Sequence, residues 1–396
     1  MNLSRQAHPR RLLLCLDGVP HRLIEVARSR GLFDSFRPTS RLLSPFPTMT
    51  NVALSAMLGA SPPAGYESLY FDRKARALRG GIGKYLGRRT PDKIPSSYME
   101  NLDYQEPLPF EFLIYVAPER VWRADMRRFR DHFRAAPQTR DYFAFLKATD
   151  GLLHSQGPDR LAVALESLDE ILKEIGSYCG AETEIVMFSD HGMNLEENRR
   201  VDLASTLRNE GFQFVIPAFG LCSYAAVYCT DDDRIPEVAR TCAEVNGVDL
   251  ALYKLGTDLM IESACGAARI ENQAHTNSYS YVLQGGDPLG LKTFAGEYRS
   301  EAAWFECTSG HRYPDAIANL YKSLFSERVK HTADILLSLQ DGYYYGWSPF
   351  GRFVRLAATH GNALQSSSHA FLMSTHREFP TYVRADDARD FLLRQS

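Results

Sequence analysis

Asp190 and His191 stand side by side in Ser189-Asp-His-Gly-Met193, directly behind the apolar run Glu184-Ile-Val-Met-Phe188. Adjacent oxygen and nitrogen donors reach one divalent ion when a buried strand ends in a tight turn, and Gly192 supplies the freedom for that turn. Asp150 and His154 are four residues apart, so one helical turn puts both on one face, a spacing suited to a second ion. Asp17 closes the apolar run Leu12–Leu16 and precedes Gly18, adding a third strand-terminal carboxylate. Taken singly, each piece has a plain structural use: an Asp before Gly is a common turn residue, and Asp150 can cap the helix that follows. His360, in Thr359-His-Gly361, gains its weight by completing a set with Asp150 and His154; His369 and His376 rank below it. A hydroxyl nucleophile is on offer in Pro47-Thr48-Met-Thr50, just before a helical stretch. There the helix dipole and a cation would together stabilise an alkoxide near neutral pH, although Thr48 or Thr50 could equally be a helix N-cap.

These residues need a sheet edge to bring them together. The runs Leu12–Leu16, Phe112–Val116, Tyr142–Leu146 and Glu184–Phe188 read as strands buried on both faces. Helical patterns alternate with them at Thr50–Leu58, Asp159–Tyr178 and Leu203–Glu210, which predicts an α/β fold with a mostly parallel central sheet covered by helices on both faces. In such sheets ligands bind beyond the carboxyl ends of the strands, where Asp17, Asp150 and Asp190-His191 all fall. From about Gly220 the chain turns β-rich and Gly-punctuated, as in Ser223–Cys229, Leu252–Ser263 and Thr276–Leu283. Residues 221–310 are therefore expected to form a small β-containing lobe, with 1–220 and 311–396 as the catalytic core. Helices are expected again at Tyr313–Phe325 and His331–Leu337.

Composition narrows the function classes. The chain has 396 residues, 44% hydrophobic and 23% charged, enough apolar material for a large buried sheet. A net charge of −3 gives no field for a nucleic acid polymer or an anionic membrane. The basic run Arg120–Arg134 reads as the solvated face of a helix. Seven cysteines without CxxC spacing indicate neither a disulfide framework nor a thiolate zinc site. The Leu12–Leu16 run is too short for a signal-peptide core and no segment has the apolar length of a membrane span, so a cytoplasmic protein is expected.

Taken in order, Asp17-Gly18, Pro47-Thr-Met-Thr50, Asp150 with His154 and Gly157-Pro158, Ser189-Asp-His-Gly-Met193 and Thr359-His-Gly361 resemble the alkaline phosphatase superfamily. Within it, they resemble the nucleotide pyrophosphatase and phosphodiesterase branch. The resemblance implies a hydrolase of phosphate esters with Thr50, the second threonine of Pro-Thr-x-Thr, as nucleophile and a phospho-threonine intermediate. It further implies one zinc on Asp17, Thr50, Asp190 and His191 and another on Asp150, His154 and His360, with manganese as the alternative metal. The two ions would lie about 4 Å apart. The substrate would be a small phosphorylated molecule, a nucleotide among the candidates. The branch carries an Asn for a phosphoryl oxygen where this chain has Gly65-Tyr-Glu-Ser-Leu-Tyr-Phe-Asp72, leaving Asn51, Ser68 and Tyr70 as substrate-contact candidates. Phosphomonoesters and phosphonoacetate-type carbon–phosphorus bonds stay open as substrates. A sulfatase is disfavoured, because Thr occupies the nucleophile position and Gly follows Asp17. From another class, a binding scaffold without catalysis remains an alternative.

Overall fold

The computed structural model describes residues 10–81, 102–105, 116–136, 141–180, 182–273, 275–346 and 356–393. Its central sheet has seven strands in the order Tyr382–Arg384, Ser40–Leu43, His369–Ser374, Glu184–Phe188, Arg11–Leu16, Asp141–Leu146 and Leu102–Gln105. All neighbours pair in parallel except His369–Ser374, which runs antiparallel to both of its own. The sheet is thus mostly parallel, as the alternation of apolar runs and helical patterns predicted.

Every residue of Arg11–Leu16 and Asp141–Leu146 is buried, because successive side chains point to opposite faces and both faces are covered. Leu12, Leu14 and Leu16 pack with Ala144, Met187 and the buried sides of helices Pro118–Ala135, Ala148–Gln156 and Pro158–Cys179. Leu13 and Cys15 pack with Phe143, Phe145 and Phe188 against helices Thr50–Leu58 and Ala385–Leu392. The arginine-rich helix Pro118–Ala135 buries Val121, Trp122, Met126, Phe129 and Phe133, which leaves Arg123, Arg127 and Arg128 exposed as expected.

A second, eight-stranded sheet is wholly antiparallel. Its order is Tyr298–Ser300, Ser278–Gln284, Gly266–Gln273, Asp258–Ser263, Val248–Leu255, Ile335–Leu339, Tyr224–Cys229 and Phe214–Val215. The sheet also takes in Phe214–Val215 and Ile335–Leu339. One expectation is corrected here. The His331–Leu337 stretch, expected to be helical, supplies that central Ile335–Leu339 strand. It is buried throughout between Tyr224–Cys229 and Val248–Leu255, and a short continuous apolar run has no periodicity that separates strand from helix. Most of the expected strand Phe112–Val116 lies outside the described residues; Val116 itself is helical. Among the described residues no helix is long and apolar enough to cross a membrane.

Candidate active site

The parallel strands Arg11–Leu16, Asp141–Leu146 and Glu184–Phe188 end at one edge of the sheet and deliver the three acidic groups there. The chain leaves Leu16 into Asp17-Gly18, where Asp17 N–H donates to Leu146 O (3.1 Å) and Gly18 N–H donates to Asp190 Oδ1 (3.1 Å). Val19 N–H donates to Ser189 Oγ at 2.8 Å, and the Ser189 hydroxyl donates to His191 O at 2.9 Å. The side chains after the third strand therefore hold the turn after the first, and Asp17, Asp190 and His191 form one rigid unit. Thr149 adds a bond from its hydroxyl to Asp17 O at 2.6 Å, tying in the helix that carries Asp150 and His154.

Two trios of buried donors result. The ligand-type atoms of Asp17, Asp190 and His191 lie within 4.8 Å of one another, and so do those of Asp150, His191 and His360. His191 Nε2 is 3.6 Å from Asp17 Oδ1 and 3.5 Å from Asp190 Oδ2, while His360 Nε2 is 3.6 Å from Asp150 Oδ1. His154 Nε2 reaches Asp150 Oδ1 at 3.2 Å. The structure thus gathers every residue of the expected ligand set at one place. His191 stands between the two groups, its ring stacked on His360 at 3.8 Å, whereas His154 joins the second group through Asp150.

The donor set fits divalent metal. Each of the three imidazoles has its Nδ1 on a backbone carbonyl: His154 on Ala358 (2.8 Å), His191 on Gly192 (2.9 Å) and His360 on Thr48 (2.8 Å). Such a bond fixes the tautomer and turns the Nε2 lone pair inward, as metal-binding histidines require. Burial, reinforced by the neighbouring His191, holds the His360 imidazole down to about 3 and therefore neutral. Asp150 is fully buried, which alone would raise its carboxyl, yet His154, His360 and His191 together hold it below the usual carboxylate range. Carboxylates and imidazoles without a thiolate suit zinc or manganese.

Thr50 lies at the opening of the Thr50–Leu58 helix, whose N-cap is Met49 without a side-chain cap. Its hydroxyl is 3.3 Å from Asp17 Oδ1 and 3.3 Å from His191 Nε2. Thr48 is fully buried and otherwise engaged: its Oγ1 donates to Asn362 O (3.1 Å) and accepts from Gly361 N–H (3.0 Å). Neither threonine is the N-cap, and only Thr50 faces the donor trios.

Asn51 is half-buried beside Thr50 in the same first turn. Ser68 is buried, with its carbonyl accepting from Gly81 N–H at 3.0 Å, and Tyr70 stacks on His331 at 4.9 Å between ring centres. The stretch that replaces the expected Asn holds a residue not singled out from sequence, Glu67. Its carboxylate accepts from Gly220 N–H (2.7 Å) and the Tyr224 hydroxyl (3.0 Å), and burial pushes it up. Glu67 thereby ties this stretch to the strand whose entrance, Ser223, donates its N–H to His360 O at 2.8 Å. Asn362 was missed too. Its amide donates to Leu339 O and Asp341 Oδ1, both at 3.0 Å, and fixes the loop carrying His360 to the second sheet.

Comparison with known proteins converges on the same chemistry. Residues 70–271, just over half of the chain, match the model of type I phosphodiesterase / nucleotide pyrophosphatase. The chain belongs to that family. It is accordingly a hydrolase of phosphate esters in the alkaline phosphatase superfamily. The fold of this family member is similar to phosphonoacetate hydrolase from Sinorhizobium meliloti 1021 in complex with phosphonoformate (TM-score 0.56, 16% identity, 97% of this chain and 95% of that one). It is also similar to human ectonucleotide pyrophosphatase / phosphodiesterase 5 (TM-score 0.54, 13% identity, 97% and 93%). The murine counterpart, in an inactive form in complex with AMP, gives a TM-score of 0.53 at 13% identity over 97% and 94%. No curated protein sequence matches the chain.

Proposed function

We propose that this family member hydrolyses a phosphodiester or nucleotide pyrophosphate through a phospho-threonine intermediate on Thr50. Two divalent ions, zinc before manganese, would be held by Asp17, Thr50, Asp190 and His191 on one side and by Asp150, His154 and His360 on the other. The observation that carries the reading is the Thr50 hydroxyl, 3.3 Å from both Asp17 Oδ1 and His191 Nε2 at the opening of a helix. Bound there, the ions would act as Lewis acids that neutralise phosphoryl charge and lower the pKa of a coordinated hydroxyl or water.

The chain's own residues supply the rest. Asp17, 3.3 Å from the Thr50 hydroxyl, accepts its proton as the oxygen attacks phosphorus in line; the new O–P bond forms, the bond to the leaving alcohol or nucleotide breaks with the departing oxygen protonated from solvent, and the phosphoryl group on Thr50 keeps the substrate's other ester substituent. The helix N-terminus favours the negative charge gathering at Thr50. In the second step water attacks the phosphoryl group and gives up a proton to solvent, the bond to Thr50 breaks, the threonine oxygen recovers its proton from Asp17, and a phosphomonoester is released. Asn51, one residue along the same turn, is the polar neighbour for a phosphoryl oxygen. The antiparallel sheet, linked to the site by Glu67 and Asn362, would select the leaving group. A cytoplasmic location belongs to the same reading and accords with seven free cysteines.

Thr50→Ala should abolish turnover while the protein keeps about two ions per chain. Full activity in that variant would contradict the nucleophile assignment. Absence of metal after supplementation would favour a binding scaffold. Rates on a bis-aryl phosphodiester, an aryl phosphomonoester and phosphonoacetate, measured side by side, decide the substrate class; the reading expects the diester to be fastest.

A further inference from the structure

Beside the metal centre, behind the Ser366–His369 segment, lies a cavity of about 620 Å³ that none of the candidate ligands lines. The Ser366–His369 backbone packs directly against Gly192, the residue after His191. A Cβ placed on Gly192 would lie 2.4 Å from Ser366 O and 2.9 Å from His369 O, and both of those residues line the cavity. Three arginines, Arg22, Arg41 and Arg312, open onto it against a single carboxylate, Asp341. That carboxylate is already engaged by Asn362 Nδ2 (3.0 Å) and the Ser366 hydroxyl (2.7 Å). Arg312 also pairs with Asp249 at 3.2 Å, and the Arg41 guanidinium lies 5.5 Å from the centre of the Tyr382 ring. Among the described residues no carboxylate is within ion-pair distance of Arg22 or Arg41.

The cavity is also where the His21–Ser29 helix begins. Pro20 is its N-cap and provides no side-chain cap, so the positive end of the helix adds to the arginines. His21 and His369 contribute hydrogen-bonding rings without charge, since burial first and Arg41 second hold both imidazoles down to about 4. The volume is that of a site for an organic molecule and exceeds what a bare oxyanion fills. Gln340, Gln365 and Leu364 line the remainder with amide and apolar groups.

We infer that this cavity is a second ligand site, separate from the metal centre, that takes a small organic molecule bearing a phosphate group. Arginine is the side chain suited to such recognition, because its planar donor fork matches phosphate oxygens. The phosphate meets Arg22, Arg41 and the helix start, and the organic part lies along Leu364 and Gln365. The inference stands on the cavity's own geometry and does not depend on Thr50 being the nucleophile.

The test is calorimetric titration of the full-length, metal-loaded Thr50→Ala chain with AMP, inorganic phosphate and adenosine. Chromatography of the cell contents after each titration checks that AMP is intact, so the readout does not hang on the Thr50 assignment. Arg22→Gln/Arg312→Gln, both at exposed positions and therefore compatible with folding, is then added, with thermal melting as the check; Arg41→Gln is the third variant. An AMP-binding component that weakens about tenfold or more on loss of the arginines supports the site, with phosphate weaker than AMP and adenosine not bound. An AMP isotherm unmoved by the arginine substitutions overturns it. Phosphate binding as tightly as AMP overturns the organic-ligand claim, and adenosine binding as tightly as AMP overturns the phosphate claim.

Discussion

Gly18 lies against side chains of both donor groups, and Gly18→Ala probes that crowding directly. Its φ of +69° lies in the left-handed region, and an added Cβ would sit 2.7 Å from Met193 Cε, 2.9 Å from Asp150 Oδ1 and 3.2 Å from His191 Cε1. The left-handed backbone alone costs an alanine about 1–2 kcal/mol. Overpacking of the surroundings adds about 1–3 kcal/mol. The Met193 methyl can swing away, but Asp150 and His191 are buried and held, so one of them must move by about half an ångström to restore ordinary contact. Since a displacement of about 1 Å at a reacting centre can cost about a hundredfold, a loss of about tenfold in kcat/KM is expected, with weakened metal retention. Gly256→Ala is the control. Gly256 has φ +61° with nothing within 4 Å of the added Cβ, so it carries the backbone strain without the crowding. Denaturant unfolding and steady-state kinetics on the two variants separate the terms. Wild-type kcat/KM in Gly18→Ala, or equal behaviour of both variants, would refute the claim that Gly18 is required by the donor groups around it.

Three further outcomes follow from the same structure. Thr48→Val removes the hydroxyl between Asn362 O and Gly361 N–H, so stability should fall by about 1–3 kcal/mol in chemical denaturation. Turnover should drop but persist, and complete loss of activity in a folded Thr48→Val protein would shift the nucleophile to Thr48. Asp141→Ala deprives buried Arg11 of a carboxylate bonded to its Nε (3.0 Å), Nη2 (2.8 Å) and backbone N–H (2.9 Å), and should destabilise by about 3–5 kcal/mol; a change below about 1 kcal/mol would contradict this. Asp125 has its carboxyl pushed up from 3.8 to about 7 by burial. Its folded form keeps a proton that the unfolded chain has already released, so stability falls as pH rises from about 4 through 7. Asp125→Asn should therefore be more stable than the wild type at pH 8, with the gap closing towards pH 4, and a gap independent of pH would count against the buried-acid account.

The gathering of the candidate donors was legible because most of them sit near the end of an element with a strong pattern. Leu12–Leu16 and Glu184–Phe188 are short apolar runs closed by Asp17-Gly18 and Ser189-Asp190, which favours strands over helices, and the strand edge then fixed where Asp17 and Asp190-His191 go. The Thr50–Leu58 helix matches its expected bounds because Gly59, in the left-handed region, stops it. His331–Leu337 misled because an apolar run buried on both faces carries no period, and its neighbours in the sheet come from more than 80 and about 110 residues earlier. The stacking of the His191 ring on His360 had no local signal, because it joins distant segments of the chain. Glu67 had no local signal either: its role comes from Gly220 and Tyr224, over 150 residues away.

The central proposal, attack by Thr50, is tested most directly by acid-quenching the enzyme during turnover of a phosphodiester and mapping the covalent phosphoryl group by peptide mass spectrometry. The account predicts one substrate-derived phosphoryl group per chain on Thr50, still carrying the ester substituent that did not leave, appearing with substrate and absent from Thr50→Ala. A phosphoryl group on Thr48 or any other residue, or rapid turnover with no phosphorylated peptide even when the quench falls in the pre-steady state, would contradict it.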